Sequence, residues 1–145
     1  MEQRVSFVTL AVNDLQASRR FYVDGLAWTP EFEDPDEVLM FRAGPWVVFA
    51  LWDRAYFEAE VGSPAQSGPG VVPMTLSHNV RTREDVDGVL EDARAAGATV
   101  VSDGVERDWG GYTGYFADPD GFRWEVAFNP GPVGQLVLPP VGNTT

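Results

Sequence analysis

The fold of this chain is decided by the stretch Phe116-Ala117-Asp118-Pro119-Asp120-Gly121-Phe122-Arg123-Trp124-Glu125. Asp-Pro-Asp-Gly is a strong tight-turn signal, because proline presets φ, glycine accepts positive φ and aspartate side chains bond the nearby backbone. Aromatic and β-branched residues are common on both sides of the turn, and such residues favour strands. The stretch therefore predicts a β-hairpin near the end of the chain, with strands at residues 112–117 and 122–128.

The same spacing occurs earlier in the chain, which indicates an internal repeat. Phe41 and Ala50 are nine residues apart, as Phe116 and Glu125 are. In each half a strand that ends in valine is followed at once by a capped helix. A fixed spacing of this kind is typical of a duplicated structural unit.

Each half is predicted to be a βαβββ module, from the alternation of its strands and the caps of its helix. In the first half the helix starts after Asn13-Asp14 and ends at Gly25, and in the second it starts after Thr82 and ends at Gly97. The predicted strands of the first half are residues 4–12, 28–32, 37–43 and 46–52. Those of the second half are residues 73–80, 98–101, 112–117 and 122–128.

The chain is predicted to contain a first module at residues 1–53, a linker at 54–72, a second module at 73–130 and an irregular tail at 131–145. A single βαβββ module has an open sheet edge and one unburied face. Two modules side by side remove both problems. We therefore predict an α+β fold in which the modules form a curved, partly open mixed sheet of half-barrels, with the helices outside.

Composition excludes several kinds of function. With 22 acidic against 10 basic residues the net charge is −12, which repels nucleic acids and anionic membranes. The absence of cysteine excludes disulfides and thiolate chemistry, and the single histidine, His78, excludes a multi-histidine metal site. No signal peptide and no apolar stretch of the roughly 20 residues that span a bilayer are evident, which predicts a cytoplasmic protein.

Two motifs resemble the vicinal oxygen chelate superfamily, which includes glyoxalases, bleomycin-resistance proteins and extradiol dioxygenases. One motif is TLAVNDLQASRRFY at residues 9–22 followed by GLAW at 25–28, which resembles the opening of such a protein. The other is the closing hairpin, in which DPDG leads to Glu125. The resemblance covers residues 4–130 and implies the duplicated fold, a small-molecule ligand and a homodimer.

In the metal-using members of that superfamily, four inward-facing positions hold a divalent ion. The resemblance places these positions at Phe7, Ala50, Thr75 and Glu125. Phe7 and Ala50 carry no donor atom, and Thr75 offers only a neutral hydroxyl. Since Glu125 alone is a competent ligand, we expect no metal cofactor at this site.

Strand alternation predicts a ligand pocket on the face that carries Glu125, with apolar walls and a few polar groups. Its predicted members are Phe7, Thr9, Ala11, Val48, Ala50, Trp52, Thr75, Ser77, Asn79 and Arg123.

Glu125 is the candidate catalytic residue, as a general base or as a hydrogen-bond anchor for a ligand. The alternative for Glu125 is an ion pair with Arg123, two residues away on the same face. His78 falls on the opposite, helix-facing side, where a structural role is expected. The glycine-rich segment 109–115 is interpreted either as a rim that stacks on a ligand or as a loop packed under the hairpin.

Four functions are compatible with these features. The first is a metal-free small-molecule binder, like the bleomycin-resistance branch. The second is a metal-dependent lyase or dioxygenase, like the glyoxalase branch. The third is a metal-independent isomerase or lyase with Glu125 as general base. The fourth is an interaction module with a filled interior.

Overall fold

Each half of the chain folds as a βαβββ module in the computed structural model, which describes residues 1–66, 68–72 and 74–140. The chain divides into two units, Met1–Gly70 and Val71–Thr145. The elements of the first unit are β1 (Phe7–Val12), α1 (Leu15–Arg19) continuing as a π-helix (Arg20–Gly25), β2 (Phe32–Asp34), β3 (Val38–Arg42), β4 (Val48–Asp53) and α2 (Arg54–Val61). Those of the second unit are β5 (Thr75–Val80), α3 (Arg83–Ala95), β6 (Thr99–Glu106), β7 (Tyr112–Ala117), β8 (Arg123–Phe128) and α4 (Pro132–Leu136).

The strands form two four-stranded sheets with the same topology. Their orders are β1-β4-β3-β2 and β5-β8-β7-β6. In each sheet the first and last strands of the module are parallel neighbours, and the other pairs are antiparallel. The predicted duplication is confirmed, and each sheet is hydrogen-bonded within its own module.

An aromatic cluster on the helix side of the first sheet changes one predicted strand. The Trp28 ring lies 5.3 Å from both Tyr22 and Phe41, centroid to centroid, and the Trp28 backbone N–H donates to the Tyr22 carbonyl. The preceding residue, Ala27, has a φ of 57°. The chain therefore turns at Trp28 to bury the indole, and the strand predicted at residues 28–32 starts only at Phe32.

The region predicted as a linker begins with helix α2, which belongs to the first unit. Asp53 caps the helix through Ala55 N, and Gly62, with a φ of 75°, ends it. Arg54 Nε donates to Asn13 Oδ1 at 2.6 Å and ties the helix to the end of β1. The sequence prediction overlooked this segment because the glycines and prolines that follow it dominate the composition. Ser67, also within the predicted linker, lies outside the described residues.

Helix α3 packs on the second sheet as its apolar stripe predicts. Thr82 and Asp85 form a reciprocal capping box at its start, and Val86 and Leu90 are buried. A Cβ at Gly114 of β7 would lie 2.5 Å from Leu90 Cδ1. Glycine at this position therefore allows the helix to approach the strand.

Two further differences concern strand β6 and the tail. Strand β6 runs five residues beyond its predicted end at residue 101, with bulges that hide its alternation. The tail predicted as irregular contains the short helix α4. Pro73, where strand β5 was predicted to start, and residues 141–145 of the tail lie outside the described part of the chain. Among the residues the structure describes, no helix has the length and apolarity to cross a membrane.

The Asp118 turn has the predicted form. Asp118 is buried, and its Oδ1 accepts hydrogen bonds from the backbone N–H of Asp120 and Phe122, each at 3.0 Å. Gly121 adopts a φ of 86°. These contacts close the hairpin and set the register of β7 against β8.

Replacing Asp118 by alanine should lower the free energy of unfolding by about 2–3 kcal/mol, because two backbone donors lose a charged acceptor in a buried place. The first module offers a matched control, Asp34→Ala. Asp34 accepts from Asp36 N at 3.0 Å in an exposed turn of the same Asp-Pro-Asp sequence, so its loss should cost under about 1 kcal/mol. Urea unfolding of both variants measures the difference. Equal costs would contradict the role of burial at Asp118.

Candidate functional site

Glu125 lies at the centre of the second sheet, where the register places a hydroxyl on either side of it. Ser77 of β5 and Tyr115 of β7 are its direct neighbours across the strands. The Ser77 hydroxyl donates to Glu125 Oε2 at 3.1 Å, and the Tyr115 hydroxyl donates to Oε1 at 3.0 Å. Each carboxylate oxygen thus accepts one hydrogen bond, and the side chain is held in one orientation.

Tyr115 is kept in its protonated, donating form. Partial burial raises the pKa of its phenol above 10, and the hydrogen bond to Glu125 raises it further. The charge of Arg107 acts in the opposite direction and lowers that pKa. The Tyr115–Glu125 bond therefore persists throughout the neutral pH range.

Arg123 is on the same face as Glu125, two residues earlier in β8. Among the residues that the structure describes, no ion pair joins the two side chains. Glu125 bonds to the hydroxyls of Ser77 and Tyr115 instead. The expected alternative role of Glu125, neutralising Arg123, is therefore not seen.

Further polar groups share this face of the second sheet. Thr75 lies beside Arg123, and Asn79 lies beside Ala127. Ser102 of β6 is the neighbour of Tyr115. The Ser102 hydroxyl is buried and has no hydrogen-bond partner within the described part of the chain.

The six predicted pocket residues of the first module also share one face of their sheet. Where β1 pairs with β4, Phe7 lies beside Val48, Thr9 beside Ala50 and Ala11 beside Trp52. Ala50 is 2% exposed and Phe7 55% exposed. The Trp52 indole packs edge-on against Phe57 of α2, and its Nε1 is a second buried donor without a partner among the described residues.

The duplication places corresponding rows of side chains in the two sheets, and the rows differ in chemistry. Ser77, Glu125 and Tyr115 form the row in the second sheet. The corresponding row in the first sheet contains Thr9, Ala50 and Met40. One module therefore presents a carboxylate flanked by hydroxyls, and the other presents a largely apolar surface.

The residues at the implied metal positions do not fit a divalent ion. Phe7, Ala50 and Thr75 supply no charged or imidazole donor, and both oxygens of Glu125 already accept hydrogen bonds. Over the residues that the structure describes, no group of three or more histidine, cysteine, aspartate and glutamate side chains forms a metal-binding cluster. A metal would have to be held by Glu125 and neutral ligands alone.

His78 lies on the opposite face of the sheet from Glu125, whereas the glycine-rich segment reaches Glu125 through Tyr115, its last residue. His78 pairs with Val126 on the helix-facing register of the sheet; the residue is exposed, and desolvation of the ring lowers its pKa from 6.5. The segment 109–115 divides into a turn, in which Gly110 N donates to the Arg107 carbonyl, and the start of β7. Trp109 in this turn is 55% exposed.

The sequence prediction missed two members of the site, Tyr115 and Arg107. Tyr115 lies in the strand predicted at residues 112–117 but was not included in the predicted pocket, although the predicted turn at residues 118–121 pairs 117 with 123 and therefore 115 with 125. Arg107 Nε donates to the buried Thr113 hydroxyl at 2.6 Å. No sequence signal identifies Arg107, because the bulges of β6 interrupt the alternation before it.

Comparison with known proteins gives a consistent family. The Glyoxalase/Bleomycin resistance protein/Dioxygenase superfamily profile matches residues 4–126. A crystal structure of a glyoxalase-related enzyme from Fulvimarina pelagi is 40% identical, covers 89% of this chain and 90% of its own, and superposes with a TM-score of 0.81. A glyoxalase/bleomycin resistance protein/dioxygenase from Nocardioides is 27% identical, with coverages of 90% and 89% and a TM-score of 0.75.

A lactoylglutathione lyase from Agrobacterium tumefaciens shares the fold at 20% identity, with coverages of 89% and 96% and a TM-score of 0.68. The search of curated proteins gives no match. The profile match extends over most of the chain, and the fold is that of the solved relatives. The chain therefore belongs to the glyoxalase/bleomycin resistance protein/dioxygenase superfamily, which is the vicinal oxygen chelate superfamily.

Proposed function

We propose that the protein binds a small, partly apolar organic ligand without a metal ion, and that Glu125 accepts a hydrogen bond from the ligand. The observation that carries the proposal is the replacement of the superfamily's metal donors. Phe7, Ala50 and Thr75 stand at three of the four positions, while Glu125 is held by Ser77 and Tyr115. A carboxylate fixed in this way is suited to orient a ligand O–H or N–H group.

Two buried donors support a polar contact with a ligand. Trp52 Nε1 and Ser102 Oγ have no partner among the described residues, and such groups are costly to leave unsatisfied. Both belong to the same sheet faces as the predicted pocket residues. A ligand acceptor at either atom would remove that cost.

A second candidate is a metal-independent isomerase or lyase in which Glu125 takes a proton from an acidic C–H group. It is favoured by the 40% identity to a protein described as a glyoxalase-related enzyme. Glu125 is half-buried and held in position, as a general base requires. The two candidates differ in whether Glu125 only binds the ligand or also exchanges a proton with it.

A thermal-shift screen of small aromatic and aliphatic alcohols, amides and carboxylates should give ligands that raise the melting temperature. A ligand at 100 times its Kd stabilises the fold by about 2.7 kcal/mol. That corresponds to roughly 5–10 °C for a chain of this size. No response across the panel would overturn ligand binding and favour an interaction module.

Glu125→Gln should weaken binding of the hydroxyl- or amide-bearing hits about tenfold, because a charge-assisted hydrogen bond becomes a neutral one. Glu91→Gln removes the same charge from the outer side of α3 and serves as the control. Calorimetric titration measures both affinities. Under the second candidate, wild-type protein in D₂O exchanges an acidic C–H of the ligand, visible by proton NMR, and Glu125→Gln abolishes the exchange.

Elemental analysis of the purified protein, before and after incubation with manganese, iron, nickel or zinc ions, should find well below one bound metal ion per chain. The reason is the lack of charged or imidazole donors at three of the four positions. A stoichiometric ion that is lost in Glu125→Gln would contradict metal-free binding and point to a metal-dependent lyase or dioxygenase.

We also propose a homodimer, as the resemblance to the superfamily implies, and a cytoplasmic location, which fits the absence of cysteine. Exposed aromatic residues of the first unit support an association surface: Phe32, on the edge strand β2, is 55% exposed, and Trp46, in the β3–β4 turn, is 81% exposed.

Light scattering at micromolar concentration should give twice the chain mass of 15.9 kDa. Phe32→Ser should shift the protein toward the monomer if this edge takes part, whereas the exposed Tyr56→Ser on α2 serves as a control. A wild-type monomer would overturn the homodimer.

A further inference from the structure

Most arginines of this chain form ion pairs with carboxylates, but a few do not. All ten basic residues are arginines. Within the described part of the chain, seven of them form ion pairs: Arg4, Arg19, Arg20, Arg42, Arg54, Arg83 and Arg94. The other three are Arg81, which donates to the Pro139 carbonyl, and Arg107 and Arg123. Because the chain contains 22 acidic residues, it is unusual that these three arginines have no carboxylate partner within the described part of the chain.

Arg107 and Arg123 lie on the same face of the second sheet, on either side of the Tyr115–Glu125 pair. Arg107 is bonded to Thr113, two residues before Tyr115 in β7. Arg123 is the cross-strand neighbour of Ala117, two residues after Tyr115. From the rise of a strand, each arginine is about 7 Å from the Tyr115–Glu125 row, measured along the strands.

Arg107 and Arg123 are half-buried residues of this face. A partly desolvated cation normally has an anionic partner, because the loss of hydration is otherwise uncompensated. Glu125 would be the natural partner of Arg123, but Ser77 and Tyr115 hold the carboxylate in another direction. The hydroxyls thus keep a carboxylate and a guanidinium apart on one surface.

Arg123 is the more available of the two cations. Arg107 uses its Nε on the Thr113 hydroxyl, whereas Arg123 makes no hydrogen bond or ion pair among the residues that the structure describes. A planar guanidinium without protein partners is suited to bidentate binding of a carboxylate or phosphate. Glu125, close by, is suited to accept from a hydroxyl or amide of the same molecule.

We infer that the ligand is an organic anion, whose carboxylate or phosphate group binds Arg123 and whose hydroxyl or amide donor binds Glu125. This inference rests on the proposed ligand-binding function and adds the charge class of the ligand. The protein carries a net charge of −12, so the two arginines supply local positive potential in an otherwise repulsive field.

The test uses matched probes that differ in charge and keep a hydroxyl donor: 4-hydroxybenzoate against 4-hydroxybenzamide, and 4-hydroxyphenyl phosphate against 4-methoxyphenol. Wild-type protein should bind the anion of a pair at least tenfold more tightly than the neutral compound, as measured by calorimetry at low salt. Arg123→Gln should weaken binding of the anion at least tenfold, so that the preference over the neutral compound is lost. Which of the two anions binds more tightly distinguishes a carboxylate from a phosphate ligand.

Arg94→Gln is the matched control, because it removes the same charge from the same module at an arginine already paired with Glu91 and Asp103. It should keep the anion preference. Arg123→Gln removes no hydrogen bond within the described part of the chain and should fold normally. Arg107→Gln leaves the buried Thr113 hydroxyl without its donor and could disturb the fold, so Arg123→Gln is the main test variant.

Two failures are distinguishable. Equal binding of anionic and neutral compounds, or an anion preference that survives Arg123→Gln, would overturn this inference and leave ligand binding intact. No binding of any probe, together with no response in the thermal-shift screen, would overturn the proposed function as well.

Discussion

The arrangement of the second module depends on the carboxylate of Asp118 and the two backbone N–H groups that it binds. This buried contact closes the turn between β7 and β8 at a fixed length. The closed turn fixes the antiparallel register of β7 against β8, and this register places Tyr115 opposite Glu125. A register shifted by one residue would place every side chain of β7 on the other face of the sheet, and the Tyr115–Glu125 hydrogen bond would be lost.

The two modules share one backbone arrangement, but the side chains at corresponding positions differ in chemistry. Both modules have the same strand order and the same pairing of first and last strands. At corresponding positions one sheet carries Ala50 and the other carries Glu125. Backbone hydrogen bonds fix the position of the residue in the sheet, so the side chain at that position can differ between the modules. The superfamily's fold is therefore retained, while three of the four positions implied for metal binding, Phe7, Ala50 and Thr75, carry no charged or imidazole donor.

Charge on this protein is arranged in two ways. Most arginines are neutralised locally by nearby carboxylates on exposed surfaces, where each pair contributes little to stability. On the Glu125 face the opposite holds, since hydroxyls rather than arginines bind the carboxylate. One face of the second sheet therefore carries a carboxylate and a guanidinium that form no ion pair with each other within the described part of the chain.

The sequence by itself determined the duplicated βαβββ order, the Thr82 capping box, the Asp118 turn and the position of Glu125, because these depend on local spacing, capping and turn chemistry. It failed where tertiary contacts override local pattern: Trp28 turns inward to an aromatic cluster, and α2 is tied to the end of β1 by Arg54 and Asn13. Only the tertiary structure decided what Glu125 binds. From the sequence, Glu125 was either a general base or ligand anchor or the partner of Arg123, and the bonds it makes to Ser77 and Tyr115 depend on side-chain orientation, which strand periodicity does not encode.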